Sequence, residues 1–132
     1  VNCLLDVNVL LARGWRTHNA HRTVTRWLAG QRRFVTCPIA QLGFLRVSMS
    51  PAFGASFQDA QLVLREILGN RHAVFLADDA PAQECIPVTG FADVTDAYLV
   101  GLARKHDLKL ATLDESLCRK SWASATAINP IR

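Results

Sequence analysis

Short unbroken apolar runs alternate along this chain with longer stretches whose apolar positions recur three and four apart, the signatures of buried strands and amphipathic helices. Asn2 to Asp6 predicts a short strand, and Val7 to Ala12 a short helix with Asp6 or Asn8 at its start. His18 to Ala29 predicts a longer helix, with Ala20, Val24, Trp27 and Leu28 on one face and Arg22 and Arg26 on another, stopped by Gly30. A second strand is expected over Arg33–Cys37, and Pro38 suits the first turn of a helix reaching about Met49. After a loop at Pro51–Gly54, Ser56 is placed to cap a helix with a stripe of Ala60, Val63, Leu64, Ile67 and Leu68, ended by Gly69-Asn70. Ala73–Leu76 reads as a third strand. Ala77–Ala92, broken by Pro81, Pro87 and Gly90, is the longest irregular stretch, with room for one short helical turn. Thr95–Lys105 is apolar on several sides and predicts a buried helix. Lys109–Leu113 and Ala125–Ile128 predict a fourth and a fifth strand. This alternation predicts one α/β domain over residues 1–132, with a parallel sheet covered by helices on both faces.

Composition narrows the class. Half the residues are apolar and a fifth are charged, ordinary for a globular protein and too apolar for disorder. No apolar run approaches the ~20 residues of a membrane span, and the start reads directly into a strand, so neither a signal peptide nor a membrane association is expected. Cys3, Cys37, Cys85 and Cys118 form no CxxC pair and read as reduced thiols in a cytoplasmic protein.

Charge is divided unevenly. Residues 1–58 hold seven arginines and a single acid, Asp6, whereas residues 59–132 hold eight basic and ten acidic residues. Any one of these arginines is most simply a solvated side chain. The absence of acids from 7 to 58 points instead to an anionic partner, either nucleic acid or an acidic protein segment.

The candidate chemistry lies in three aspartates at strand–helix seams: Asp6, Asp96 and Asp114. Each has an ordinary explanation as a helix cap or a first-turn carboxylate. As a set they differ, because Asp6 and Asp114 end parallel strands and so emerge at the same sheet edge, which the helix carrying Asp96 enters. Converging carboxylates repel, and a divalent cation relieves them. An all-oxygen donor set suits Mg2+ or Mn2+, and such a site hydrolyses phosphodiesters. Asn8 and Thr112 are candidate supporting groups, since Thr112 shares a strand face with Asp114. Arg46, Arg22 and Arg26 are candidate substrate contacts. His18 and His21 are expected to face solvent, and Trp15, Trp27 and Trp122 to pack in the core or an interface.

LLDVNVLLA, CPIAQLGFLRV and VTDAYLVGLARKHDLKLATLD together resemble the PIN-domain ribonucleases, specifically the VapC-type toxins of toxin–antitoxin modules. The likeness runs over essentially the whole chain. It implies a three-layer α/β/α sandwich with a mainly parallel sheet of four to five strands, metal-dependent endoribonuclease activity, a homodimer and a cognate antitoxin. It also implies a departure. That branch carries a glutamate where this chain has Gln41, while Asp6, Asp96 and Asp114 match the other acidic positions. Glutamine offers a carbonyl oxygen but neither charge nor a proton-accepting carboxylate. The site is then weakened, or silent while still binding RNA or antitoxin, or altered by a change made to blunt toxicity. A domain whose aspartates only cap helices is the remaining alternative.

Overall fold

Five short parallel strands form one sheet in the order β3-β2-β1-β4-β5 in the computed structural model, which describes residues 2–132. They are β1 (Cys3–Leu5), β2 (Phe34–Thr36), β3 (Ala73–Phe75), β4 (Lys109–Ala111) and β5 (Ala127–Ile128). The helices are α1 (Val7–Gly14), α2 (His21–Ala29), α3 (Pro38–Ser48), α4 (Phe57–Leu68), α5 (Val94–Lys105) and α6 (Glu115–Arg119). Single 3-10 turns at Ala82–Glu84 and Phe91–Asp93 interrupt the irregular segment. Among the described residues no helix is long and apolar enough to cross a membrane.

The strand order decides the layers. From β1 the chain steps outward twice to reach β3, then returns past β1 to β4 and β5. With right-handed crossovers, the outward steps put α1 to α4 on one face and the return steps put α5 and α6 on the other. Contacts follow that division: α1 packs on α2, α3 and α4, while α5 packs on β4. The result is the α/β/α sandwich expected from the sequence.

The core is built where the strand runs are continuously apolar. Leu4, Leu5, Leu110 and Ala111 are fully buried between Val9, Leu10 and Phe44 of one layer and Leu99, Val100 and Leu102 of the other. Gly43 lets α3 approach the start of α1, because a Cβ there would lie 2.5 Å from Val7 Cγ2. The glycine of the GFLR segment is therefore a packing residue one position after Asp6's helix begins.

Four details depart from the expectations. The helix expected from His18 starts at His21, because His18 Nδ1 accepts the Ala20 N–H at 3.0 Å and closes a turn first. Neither histidine faces solvent freely: His21 Nδ1 bonds Ala12 O at 2.8 Å, and the His18 ring stacks on Phe53. The fourth strand stops at Ala111 rather than Leu113, and the fifth is reduced to two residues. Leu64 belongs to the core, whereas Leu42 of α3 is 64% exposed. Trp15, Trp27 and Trp122 pack against the core, and the four cysteines are free thiols, Cys3 and Cys37 buried.

Candidate active site

The strand order reverses at β1, whose neighbours β2 and β4 lead away in opposite directions. This reversal leaves a crevice at the carboxyl ends of β1 and β4, the position where open α/β sheets bind ligands. Leu5 is in register with Ala111, and Asp6 N–H donates to Ala111 O at 3.0 Å, so Asp6 and Thr112 leave the sheet side by side.

Thr112 ties the crevice together. Its fully buried hydroxyl donates to Asp6 Oδ2 at 2.8 Å. The same oxygen accepts from Asn8 Nδ2 at 3.0 Å and from the Asp114 N–H at 3.1 Å. Because both acceptor sites of the hydroxyl are taken by N–H donors, its single proton is directed at Asp6. Asn8 completes the clasp by accepting the Leu113 N–H at 3.0 Å through Oδ1. Two ends of the chain about a hundred residues apart are thus joined by two side chains.

The three aspartates are held differently. Asp6 is 6% exposed and caps α1, with Oδ1 accepting the Val7 N–H at 2.8 Å. Burial pushes its carboxyl above the usual range, the Thr112 and Val7 bonds oppose that, and the charge of Asp114 adds to it. Asp114 is exposed and caps α6: Oδ1 accepts from Ser116 N–H, Ser116 Oγ–H and Leu117 N–H. All three bonds fall on one oxygen. Asp96 lies in the first turn of α5, makes no side-chain hydrogen bond or ion pair among the described residues, and is half-buried. Burial, then the charges of Asp6, Asp114 and Asp93, push its carboxyl up to about 6, with Lys120 acting in opposition.

Capping therefore explains two of the three aspartates and leaves Asp96 without a structural task. Among the described residues no three His, Cys, Asp or Glu side chains are drawn close enough to hold an ion as they stand. The donor chemistry nonetheless fits a hard divalent cation: three carboxylates at one edge, two of them raised by each other's charge, with no lysine or arginine bonded to any of them.

Gln41 reaches the same edge from α3. Its Nε2 donates to Thr36 Oγ1 at 3.0 Å, at the end of β2, next to β1. A glutamate there would have to accept from that hydroxyl instead. The three candidate arginines are not drawn into the crevice. Arg46 is exposed in the last turn of α3, and Arg22 and Arg26 are exposed on α2, whose first residue is bonded to the far end of α1. Arg13 is paired with Glu66 of α4 at 3.1 Å. The sequence reading missed Thr36, whose signal was its place at the end of an apolar run, and Asp93, which sits one turn before Asp96.

A family model for the PIN domain matches residues 3–123. Ribonuclease VapC38 of Mycobacterium tuberculosis is 37% identical over 121 residues, 84% of either chain. The crystal structure of M. tuberculosis VapC20, described as a Sarcin-Ricin loop cleaving toxin, superposes with a TM-score of 0.67 over 96% of both chains at 12% identity. That of VapBC2 from Rickettsia felis, bound to a DNA fragment from their promoter, gives 0.61 at 13% identity, over 92% of this chain and 95% of that one. The sheet order, the acids at its point of reversal and these matches make the chain a member of the PIN-domain family, and within it of the VapC toxins of toxin–antitoxin modules.

Proposed function

We propose that this chain is a metal-dependent endoribonuclease whose site is the crevice between β1, β4 and α5, with Asp6, Asp96 and Asp114 as the ligands of Mg2+ or Mn2+. The observation that carries the reading is Asp96: a half-buried carboxylate with no partner, raised by the charges of the other two. A fold does not keep such a group for stability, since burying an unpaired charge is costly. When bound, the cation supplies an activated water and stabilises the leaving oxygen of a phosphodiester.

The chain's own residues prepare that chemistry. Thr112 and Val7 fix both oxygens of Asp6. Ser116 and Leu117 take Oδ1 of Asp114 and leave Oδ2 to face a ligand. Gln41, anchored to Thr36, can orient a water but cannot take its proton. Asp96, with a pKa near neutrality, is the carboxylate best matched to proton transfer in the absence of a glutamate.

Gln41 also favours a second reading: a silent member of the family that binds RNA or its antitoxin without cutting. Purified chain and a Gln41→Glu variant, incubated with a structured RNA loop and with single-stranded RNA in Mg2+, Mn2+ or EDTA, distinguish the two. Metal-dependent cuts by both proteins support the enzyme reading. Cuts by the variant alone support the silent one, and no cut by either, with no metal bound, overturns the site.

A protein antitoxin is the partner we expect for such an enzyme, and the excess of arginine in residues 1–58 offers one surface for an acidic segment of it. A homodimer would cover Leu42 and Met49, 64% and 49% exposed and two turns apart on α3. The exposed Arg46 between them would then lie at the interface, and Arg22 and Arg26 remain candidate contacts for RNA outside the crevice.

A further inference from the structure

Between α5 and the segment 77–92 run two adjoining apolar pockets that share Ala80 and Tyr98. One, of about 290 Å³, reaches Ile39 of α3 and Val94 and Thr95 of α5. The other, of about 230 Å³, continues along α5 to Gly101 and Leu102, with Glu84 at its rim. Tyr98 is the partition between them. Its hydroxyl donates to Ala80 O at 2.8 Å, which fixes the ring and holds the segment against the helix. At the open end Val94 is 50% exposed and Phe91 96% exposed. Thr95 borders Asp96, so the groove opens onto the proposed metal site.

The charge around this groove has one sign. Residues 77–96 contain five acids and no lysine or arginine. The nearby bases are already engaged: Lys105 Nζ donates to Asp79 O at 2.5 Å, and His106 Nε2 bonds Asp79 Oδ1 at 2.9 Å. Glu84 and Asp96 have no ion pair among the described residues, and Asp93 has only a 3.8 Å contact with Lys120. Such a rim repels an RNA backbone. It also disfavours a second copy of this chain, since a two-fold contact sets the same acids opposite each other.

We infer that this groove is a docking site for a cationic, partly apolar peptide segment of a partner protein. Apolar side chains of the segment fill the pockets on either side of Tyr98, and its arginines or lysines meet Glu84 and Asp96. A segment bound this way covers Asp96 and competes with the cation for it. The inference rests on the reading that a protein partner restrains the site, and it differs from the acidic segment expected on residues 1–58 in both place and charge.

The test is the binding of a labelled synthetic peptide alternating arginine and leucine, followed by fluorescence anisotropy in EDTA, so that it does not depend on cleavage. Analogues with serine in place of leucine, and with glutamate in place of arginine, are run beside it, as is a single-stranded oligouridylate. The variants are Val94→Lys in the groove and Leu62→Lys on α4, where Leu62 is 58% exposed and remote from it. Both sites are open enough for the fold to persist, which a thermal melt checks. The expected result is that the arginine–leucine peptide binds, that either analogue binds about tenfold or more weakly, and that Val94→Lys but not Leu62→Lys weakens binding about tenfold. Equal binding of the serine analogue, indifference to Val94→Lys, or preferential binding of the oligouridylate overturns the inference. So does self-association of the chain that Val94→Lys abolishes while no peptide binds. A cleavage-competent enzyme that fails this test leaves the nuclease reading standing, and a silent one that passes it leaves the groove standing.

Discussion

Asp6 and Asp96 occupy the same sheet edge in opposite circumstances. Asp6 is deeply buried and has both oxygens satisfied, by Val7 and by Thr112. Asp96 is half-buried, has no partner, and carries the repulsion of its neighbours. The first is a fixed strut whose position is set by secondary structure on both sides. The second is a charge held ready on a helix that packs on β4 and is otherwise committed to the core. A site built this way is rigid at one ligand and unrelieved at another, which is the arrangement a cation can complete.

Removing either member should be most damaging. Asp6→Asn and Asp96→Asn are expected to lower metal-dependent RNA cleavage by more than about 100-fold, since even the outer partners of metal ligands contribute about 10–100-fold. If the two variants differ strongly in melting temperature but equally in activity, the strut and the waiting charge are separated as argued. Thr112→Val keeps the shape and removes the hydroxyl that joins Asp6, Asn8 and Asp114. It should weaken Mn2+ affinity about 10–100-fold in a calorimetric titration, and it leaves Asn8 and the Asp114 N–H without an acceptor.

Smaller effects sharpen the same contrast. Gly43→Ala sets a Cβ against Val7 and pushes α3 from the start of α1. A loss of about 1–3 kcal/mol in denaturant unfolding is expected, together with a shift of Gln41 relative to Asp6. The pH dependence separates the aspartates without any substrate. Asp96 holds a proton in the folded state over the range from 3.8 to about 6, where the unfolded chain has released it. In metal-free protein its contribution to stability is therefore full below that range and is lost as pH rises through it. After solvent screening the loss is on the order of 1 kcal/mol. Asp96→Asn should flatten that slope in melts between pH 4 and 7 (roughly the interval spanned by the two states), and saturating Mg2+ should flatten it in the unsubstituted protein.

Much of this arrangement was legible in the residues. Five apolar runs separated by helical patterns gave the layers, and a carboxylate at the end of each of two runs gave the common edge. Ser56 capped its helix as its place implied, accepting the Asp59 N–H at 3.0 Å. What the chain did not disclose were the contacts between residues far apart in sequence. Strand propensity carried the fourth strand to Leu113, but Thr112 and the Asp114 N–H leave the ladder to serve the clasp around Asp6. His18 and His21 looked like a solvent face because their partners, Ala20 N–H and Ala12 O, are backbone groups that no side-chain pattern reports. The arginine excess was evident as composition, yet composition has no address: Arg13 is spent on Glu66, and Arg22, Arg26 and Arg46 lie outside the crevice.

The central claim is that the unpaired charge at this edge is a cation's place. Calorimetric titration of Mn2+ into the purified chain at neutral pH, beside Asp96→Asn and Asp6→Asn, tests it most directly. The account predicts saturable binding to the unsubstituted chain that both variants lose. Binding unchanged in both variants, or no binding to any of the three proteins, would contradict it.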